Sequence, residues 1–438
     1  MRDLWDGLPI VAQELLLLGA WLLPILLIGA ALLYGFAATR LIRAMLWRFR
    51  WANLTFVILI AVAVGMGSAL IAQERGLRQG SAKAADKFDL LVTPPGSEMT
   101  MMLAAVYLQP SDVGLLDGPT YQRIASHERV EIAAPLAFGD SYQRSPIVGT
   151  TAEFTRHLTD DSVEGRLWNT TYEALVGAAA GLAIGDTFQP SHGVGEEAGL
   201  EADSHDAHFE VVGRMPRTGS PWDRAILVPV EAVWEVHGLA NGHAPERRDQ
   251  LGPPFDADYF PGTPAIIVKA EELWANYALR SEFSRNENTM AFFPATVLTD
   301  LYRVMGDVRQ AMSITTLVTQ MLVAASVLLA LLILSRLFAR QMALLRALGA
   351  PNRFLMAVVW GYCAVLILGG TLFGLGVGQG AASVLSAVIT QRTDILVEAR
   401  LGWQEIRLAA AFAGITLALA MLPALAVLRQ PTVTHLRS

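Results

Sequence analysis

Residues 54–72 read LTFVILIAVAVGMGSALIA, nineteen positions without a charged side chain. A helix rises 1.5 Å per residue, so about 20 apolar residues cross the hydrocarbon core of a bilayer. The run therefore predicts a transmembrane helix, and working outward from it reveals four more. Leu15–Ala38 precedes it, interrupted only by Pro24. Runs from about Ile314 to Leu334, from Phe354 to about Val388, and from Leu408 to Leu428 follow. The run from Phe354 is longer than one crossing needs, and its glycines predict a tilt or a bend at the outer surface. Gly370, Gly374 and Gly378 lie four apart on one face. That spacing lets another helix come close, either within the chain or across a homodimer or heterodimer seam.

The chain has 438 residues, 53% hydrophobic and 17% charged, with a mean hydropathy of +0.40. A soluble protein of this size carries more charge, so composition also points to a membrane class. Arginines orient the spans. Arg40, Arg43, Arg48 and Arg50 lie between the first two runs, Arg336, Arg340, Arg346 and Arg353 between the third and fourth, and Arg429 and Arg437 after the fifth. Positive loops stay in the cytoplasm. This predicts an N-terminus and a middle domain outside and a C-terminus inside. The first run follows Arg2, Asp3 and Asp6, which is not a basic n-region, and it is too long for a signal core. It is expected to be a retained helix.

Between the apolar ends, 19 basic residues face 34 acidic ones. So acidic a region is a poor partner for nucleic acid. Its pattern is α+β: strands are expected at Phe88–Thr93, Val130–Phe138, Pro146–Thr150, Phe209–Gly213, Ala225–Val230 and Ala265–Lys269. Short helices are expected at Pro119–Ser126, through Trp234, and up to about Ser284. Glu173–Ala183 reads as a further apolar helix, and Pro190–Asp206 and Gly238–Phe260 as loops. The stretch Ala295–Met312 is helical and enters the third span without a breaker, which would make a rigid stalk.

Chemistry is sparse. The only lysines are Lys83, Lys87 and Lys269, and none stands in a Walker A loop, so any nucleotide belongs to another chain. Ser141, Asp140 and His157 are near one another, but no GxSxG or HExxH framework surrounds them, and no catalytic residue is assigned. The lone cysteine, Cys363, permits no internal disulfide. His205-x-x-His208 sits beside Asp203 and Asp206 in a polar loop, with His192 upstream. Imidazoles three apart among carboxylates are candidate zinc ligands, set against a merely solvated loop.

Arg340–Ala350, RQMALLRALGA, resembles the R-E-I-x-L-L-R-A-L-G-A stretch of the MacB/FtsX-type permeases, the mechanotransmission class of ABC transporters that includes the LolC and LolE lipoprotein-release permeases. Glu173–Phe188, EALVGAAAGLAIGDTF, resembles a second motif of that family, and Leu422-Pro423 with Leu436-Arg437 its usual ending. The likeness covers about residues 40–438. Gln341 stands where the family has Glu, and Gly361 where an acid is common.

The resemblance implies an α-helical membrane domain with a large α+β extracytoplasmic domain. Together with the apolar runs it divides the chain into an extra N-terminal helix (1–38), which lies outside the family's four-span pattern, a basic cytoplasmic linker with a span (39–73), an outer domain ending in a stalk helix (74–310), and three spans with a coupling helix at about 337–352 (311–438). It implies that Arg340, Leu344, Leu345, Arg346, Leu348 and Gly349 meet an ABC ATPase subunit, which holds ATP and Mg. It implies a permease homodimer in the bacterial inner membrane, contacts with membrane lipids, and a periplasmic partner in the signalling variant. The order His192-Gly193, polar loop, Asp223-Arg224-Ala225 and Trp234-x-x-His237 resembles a branch associated with zinc-responsive gene clusters. ATP-driven export or metal homeostasis is the leading reading. The alternatives are an FtsX-like signalling scaffold and a lipoprotein-releasing permease.

Overall fold

The computed structural model describes residues 5, 7–193, 205–337 and 339–428. The chain divides into two compact units. One comprises Met1–Gly76, Asp307–Val388 and Glu398–Ser438; the other comprises Leu77–Gly306 and Ile389–Val397.

The first unit is helical. Among the described residues, four helices are long and apolar enough to cross a membrane: Ile10–Leu33, Arg50–Ala84, Asn352–Thr393 and Trp403–Leu425. The remaining expected run lies in the 44-residue helix Pro294–Leu337, whose apolar stretch is Ile314–Leu329. Leu26, Leu27, Met321, Leu322, Leu372 and Phe373 are all exposed. Such outward-facing apolar side chains suit lipid rather than water. The N-terminal helix ends at Leu33, sooner than its hydropathy suggests, because Gly35 takes a left-handed turn at φ 83°.

The glycine face of Asn352–Thr393 packs within the chain. A Cβ on Gly370 would lie 2.7 Å from Ile60 Cβ, on Gly374 2.9 Å from the Ala61 carbonyl oxygen, and on Gly378 2.9 Å from the Gly65 carbonyl oxygen. The glycines thus let the helix Arg50–Ala84 approach backbone to backbone. Gly361 is closed by Ile42, whose Cδ1 lies 2.7 Å from the Cβ position, so a larger side chain there requires Ile42 on the helix Thr39–Arg48 to shift. The N-terminal helix is integral to this bundle. Gly29 admits the ring of Trp360, Gly414 lies against the Trp21 carbonyl, and Glu14 pairs with Arg407 at 3.1 Å. Arg75 grips the fully buried Glu405 through Nη1 at 2.8 and 3.1 Å.

The second unit is α/β. Its strands are β1 (Leu90–Thr93), β2 (Val130–Pro135), β3 (Ala137–Tyr142), β4 (Ser145–Thr150), β5 (Glu164–Gly165) and β6 (Glu173–Val176). They continue with β7 (Thr187–Phe188), β8 (Ser191–His192), β9 (Phe209–Arg214), β10 (Ile226–Pro229), β11 (Ile266–Ala270) and β12 (Met290–Phe292). An antiparallel sheet has the order β12-β1-β11-β2. A mixed sheet has the order β5-β9-β6-β10-β4-β3-β8, with β7 beside β9.

The expected single strand Val130–Phe138 is broken at Leu136, where the chain leaves one sheet for the other. Buried Thr263 holds that corner: its hydroxyl donates to the Leu136 carbonyl at 2.6 Å. The expected helix Glu173–Ala183 is absent. Its first four residues are β6, a central strand whose Ala174, Leu175 and Val176 are wholly buried. Gly177 then presses on the Asp223 backbone, where a Cβ would lie 2.3 Å from the carbonyl oxygen. Gly181 and Gly185 take positive φ, and the apolar run ends in turns. Trp222, fully buried, donates its indole N–H to the Val106 carbonyl at 3.0 Å and packs on Phe88 and Phe154.

Candidate metal centre and coupling segment

The corner at Leu136 launches β3, which carries Asp140. Gly139, at φ 150°, and a register shift between Phe138 and Ser141 turn the strand just before it. On the free edge of β3 lies β8, with His192 directly opposite Asp140. The pairing is strapped: the Gly193 N–H donates to the Gly139 carbonyl at 3.1 Å, and the Ser191 hydroxyl to the Ser141 carbonyl at 3.1 Å. His205 returns to the same place because its N–H donates to the Pro190 carbonyl at 3.1 Å. His237 comes from another direction, capping the C-terminus of the helix Val230–Val236 that follows β10.

The four side chains converge. His192 Nδ1, His205 Nε2 and His237 Nε2 lie 3.1, 3.4 and 3.5 Å from Asp140 Oδ1. One ligand atom from each lies within 4.8 Å of every other. The imidazole centroids are 4.2 to 5.2 Å apart. Asp140 is 3% exposed, whereas His192 is half open to solvent. Asp140 Oδ1 and His205 Nε2 are buried with no hydrogen-bond partner among the described residues. Burial opposes ionisation of Asp140, but contact with His237 and the three neighbouring imidazoles outweighs it and holds the carboxyl below its ordinary value. The same carboxylate raises the pKa of His237 against the effect of burial. A cavity of about 380 Å³ adjoins the cluster, with Asp140 and His237 in its wall beside Phe138, Leu108 and Trp234.

Two of the three histidines expected to be ligands, His192 and His205, therefore come together, and His208 does not join them. Residues three apart share a face in a helical turn, and here the chain has no helix, bending at Asp206 before it enters β9. His208 is exposed, with Nε2 3.0 Å from Gln189 Nε2. Asp203 lies outside the described residues.

The segment expected to couple, about 337–352, contains the short helix Ala339–Ala347. Met342 and Ala343 are buried, and Leu345 packs on the same helical core. Leu344 and Leu348, four apart, are exposed. Arg346 is half-buried; the side chain of Arg340 lies outside the described residues. Gly349, at φ 92°, ends the helix in a Schellman turn, its N–H donating to the Arg346 carbonyl and that of Ala350 to the Leu345 carbonyl, both at 3.0 Å. Pro351 follows, and the next helix begins at Asn352.

Long apolar helices with an outward apolar surface define a membrane protein. Residues 313–432 match the family model described as FtsX-like permease C-terminal, and that likeness supports a permease of the FtsX/MacB type. No curated protein matches it. Among solved structures, the extracellular domain of the noncanonic ABC-type transporter YknZ from Gram-positive bacteria is similar at 10% identity and a TM-score of 0.26, covering 46% of this chain and 98% of that one.

Proposed function

We propose that this chain is the permease subunit of an ABC transporter, coupling ATP hydrolysis in a separate ATPase subunit to movement of its own α/β unit. The observation that carries the reading is the permease match over residues 313–432, which takes in the short helix Ala339–Ala347 and the two apolar helices after it. The three lysines and the lack of a phosphate-binding loop in the sequence leave nucleotide to the partner. Five spans cross the bacterial inner membrane, the third within Pro294–Leu337. The arginine distribution favours an α/β unit in the periplasm and a C-terminus in the cytoplasm.

The ATPase docks on the short helix. Leu344 and Leu348 are the apolar anchors, Arg340 and Arg346 the charged rim, and Met342 and Leu345 hold the helix to its own bundle. Two permease copies work with two ATPases. The helix Pro294–Leu337 supplies residues to both units of the chain and resists bending over a few turns, which suits it to transmit movement. Of the settings open to such a permease, the cluster at Asp140 favours metal homeostasis.

Co-purification tests the coupling. The full chain is expressed with the ATPase encoded beside it. L344D/L348D is expected to lose ATPase association by at least tenfold, while the variant's own thermal unfolding stays close to that of the wild type. Retained association refutes the docking assignment, and ATP hydrolysis by the purified chain alone refutes the division of labour.

A further inference from the structure

We propose that Asp140, His192, His205 and His237 together bind one divalent transition-metal ion of the zinc class. The donors are three imidazole nitrogens and one carboxylate oxygen. That set suits zinc and its neighbours, whereas calcium and magnesium require six or more oxygens.

The spacing fits as well as the chemistry. Zinc bonds of about 2.0–2.1 Å at tetrahedral angles put neighbouring ligand atoms roughly 3.4 Å apart. The three nitrogens already stand 3.1, 3.4 and 3.5 Å from Asp140 Oδ1. Three of the six edges of the tetrahedron are therefore at length. The nitrogen–nitrogen edges, none above 4.8 Å, close by at most about 1.4 Å, within the reach of side-chain rotation.

The tautomer is also set. His237 Nδ1 lies 2.7 Å from the Val233 carbonyl oxygen. A carbonyl only accepts, so Nδ1 carries a proton, and Nε2, the nitrogen facing Asp140, is the one left to offer a lone pair to a metal ion. A backbone carbonyl that orients the far nitrogen is the usual support of a metal-ligating histidine.

A network of hydrogen bonds does not account for the cluster. Asp140 Oδ1 and His205 Nε2 are buried and unpartnered. Leaving such groups without a well-formed hydrogen bond is unfavourable. A cation satisfies all four groups together. The half-open His192 makes the ion reachable from solvent, so a chelator can take it.

The test uses the full-length, tag-free chain in detergent micelles, stripped with a chelator and titrated with zinc chloride by calorimetry. One ion per chain is expected. D140N and H237A are expected to weaken binding at least tenfold, and H208A to leave it unchanged. Cobalt(II) gives a second readout: the wild type is expected to show the intense visible absorption of a tetrahedral site, and H192A to lose it. His192 is exposed enough that H192A retains the fold, checked by circular dichroism. Absence of stoichiometric zinc binding by the wild type overturns the proposal. So does equal weakening by H208A and H237A. ATPase association, measured on the same variants, is expected to be unaffected, which separates this result from the permease reading.

Discussion

One of the tight backbone approaches in the helical unit gives a sharp test of its packing. G374A and G376A make the same chemical change two residues apart in one helix. A Cβ at residue 374 would stand 2.9 Å from the Ala61 carbonyl oxygen and 3.0 Å from Ala61 Cα, whereas one at residue 376 meets nothing within 4 Å. Ordinary contact begins near 3.4 Å. The helices Arg50–Ala84 and Asn352–Thr393 must therefore part by roughly 0.4–0.5 Å, and neither contact is a flexible side-chain end that could yield. Overpacking of this kind destabilises by about 1–3 kcal/mol. Replacing a helical glycine with alanine also stabilises by about 0.5–1 kcal/mol, but that gain is common to both variants and cancels in their difference. The difference in unfolding free energy between G376A and G374A is thus expected to be about 1–3 kcal/mol. Denaturant titration of the detergent-solubilised chain, followed by tryptophan fluorescence, measures it. Indistinguishable midpoints would show that the two helices do not meet at this face. A change in oligomeric state in G374A alone would move the face to a seam between copies.

Other consequences follow from the same geometry. Glu405 is fully buried while Arg75 keeps about 30% exposure, so the charge stranded by R75A is the worse solvated of the two. E405A is expected to destabilise by about 3 kcal/mol and R75A by more, and the reverse order in thermal unfolding would contradict the pairing. In the α/β unit, Arg166 holds Glu173 down to about 2 through paired bonds at 2.5 and 2.6 Å. A depressed carboxyl stabilises the fold above its unfolded pKa, about 4.5, and that contribution fades as pH falls toward 2. The acid limb of the unfolding curve is therefore expected to flatten in E173Q between those values; an unaltered limb would remove Glu173 from the account.

Much of this was legible in the residues, and the failures have physical causes. Long apolar runs are legible because lipid tolerates little else. The glycines four apart left open which helix meets them, and Ile60, Ala61 and Gly65 of the same chain do. FDLLVT and Pro119–Ser126 are short but bounded by clear breakers, and their strand and helix appear at Leu90–Thr93 and Gly118–Ala125. EALVGAAAGLA misleads because a strand buried on both faces has no alternation, and an apolar run without period resembles a buried helix. The histidines show the limit of local spacing. His205-x-x-His208 is close in sequence, but without a helical turn the two imidazoles do not converge. Asp140 and His237 are brought in by the β3–β8 pairing and by a helix following another strand. The Trp234-x-x-His237 motif was the one sequence signal pointing to His237. Nothing local distinguishes Asp140 from the other acids of the unit.

The Schellman turn at Gly349 keeps the link between two helices short. Four residues, Leu348–Pro351, join Ala347 to Asn352, two hydrogen bonds tie the turn back to the first helix, and a proline ring stiffens the approach to the second. A longer or looser connection would let the two helices move independently; a tied one favours their moving together.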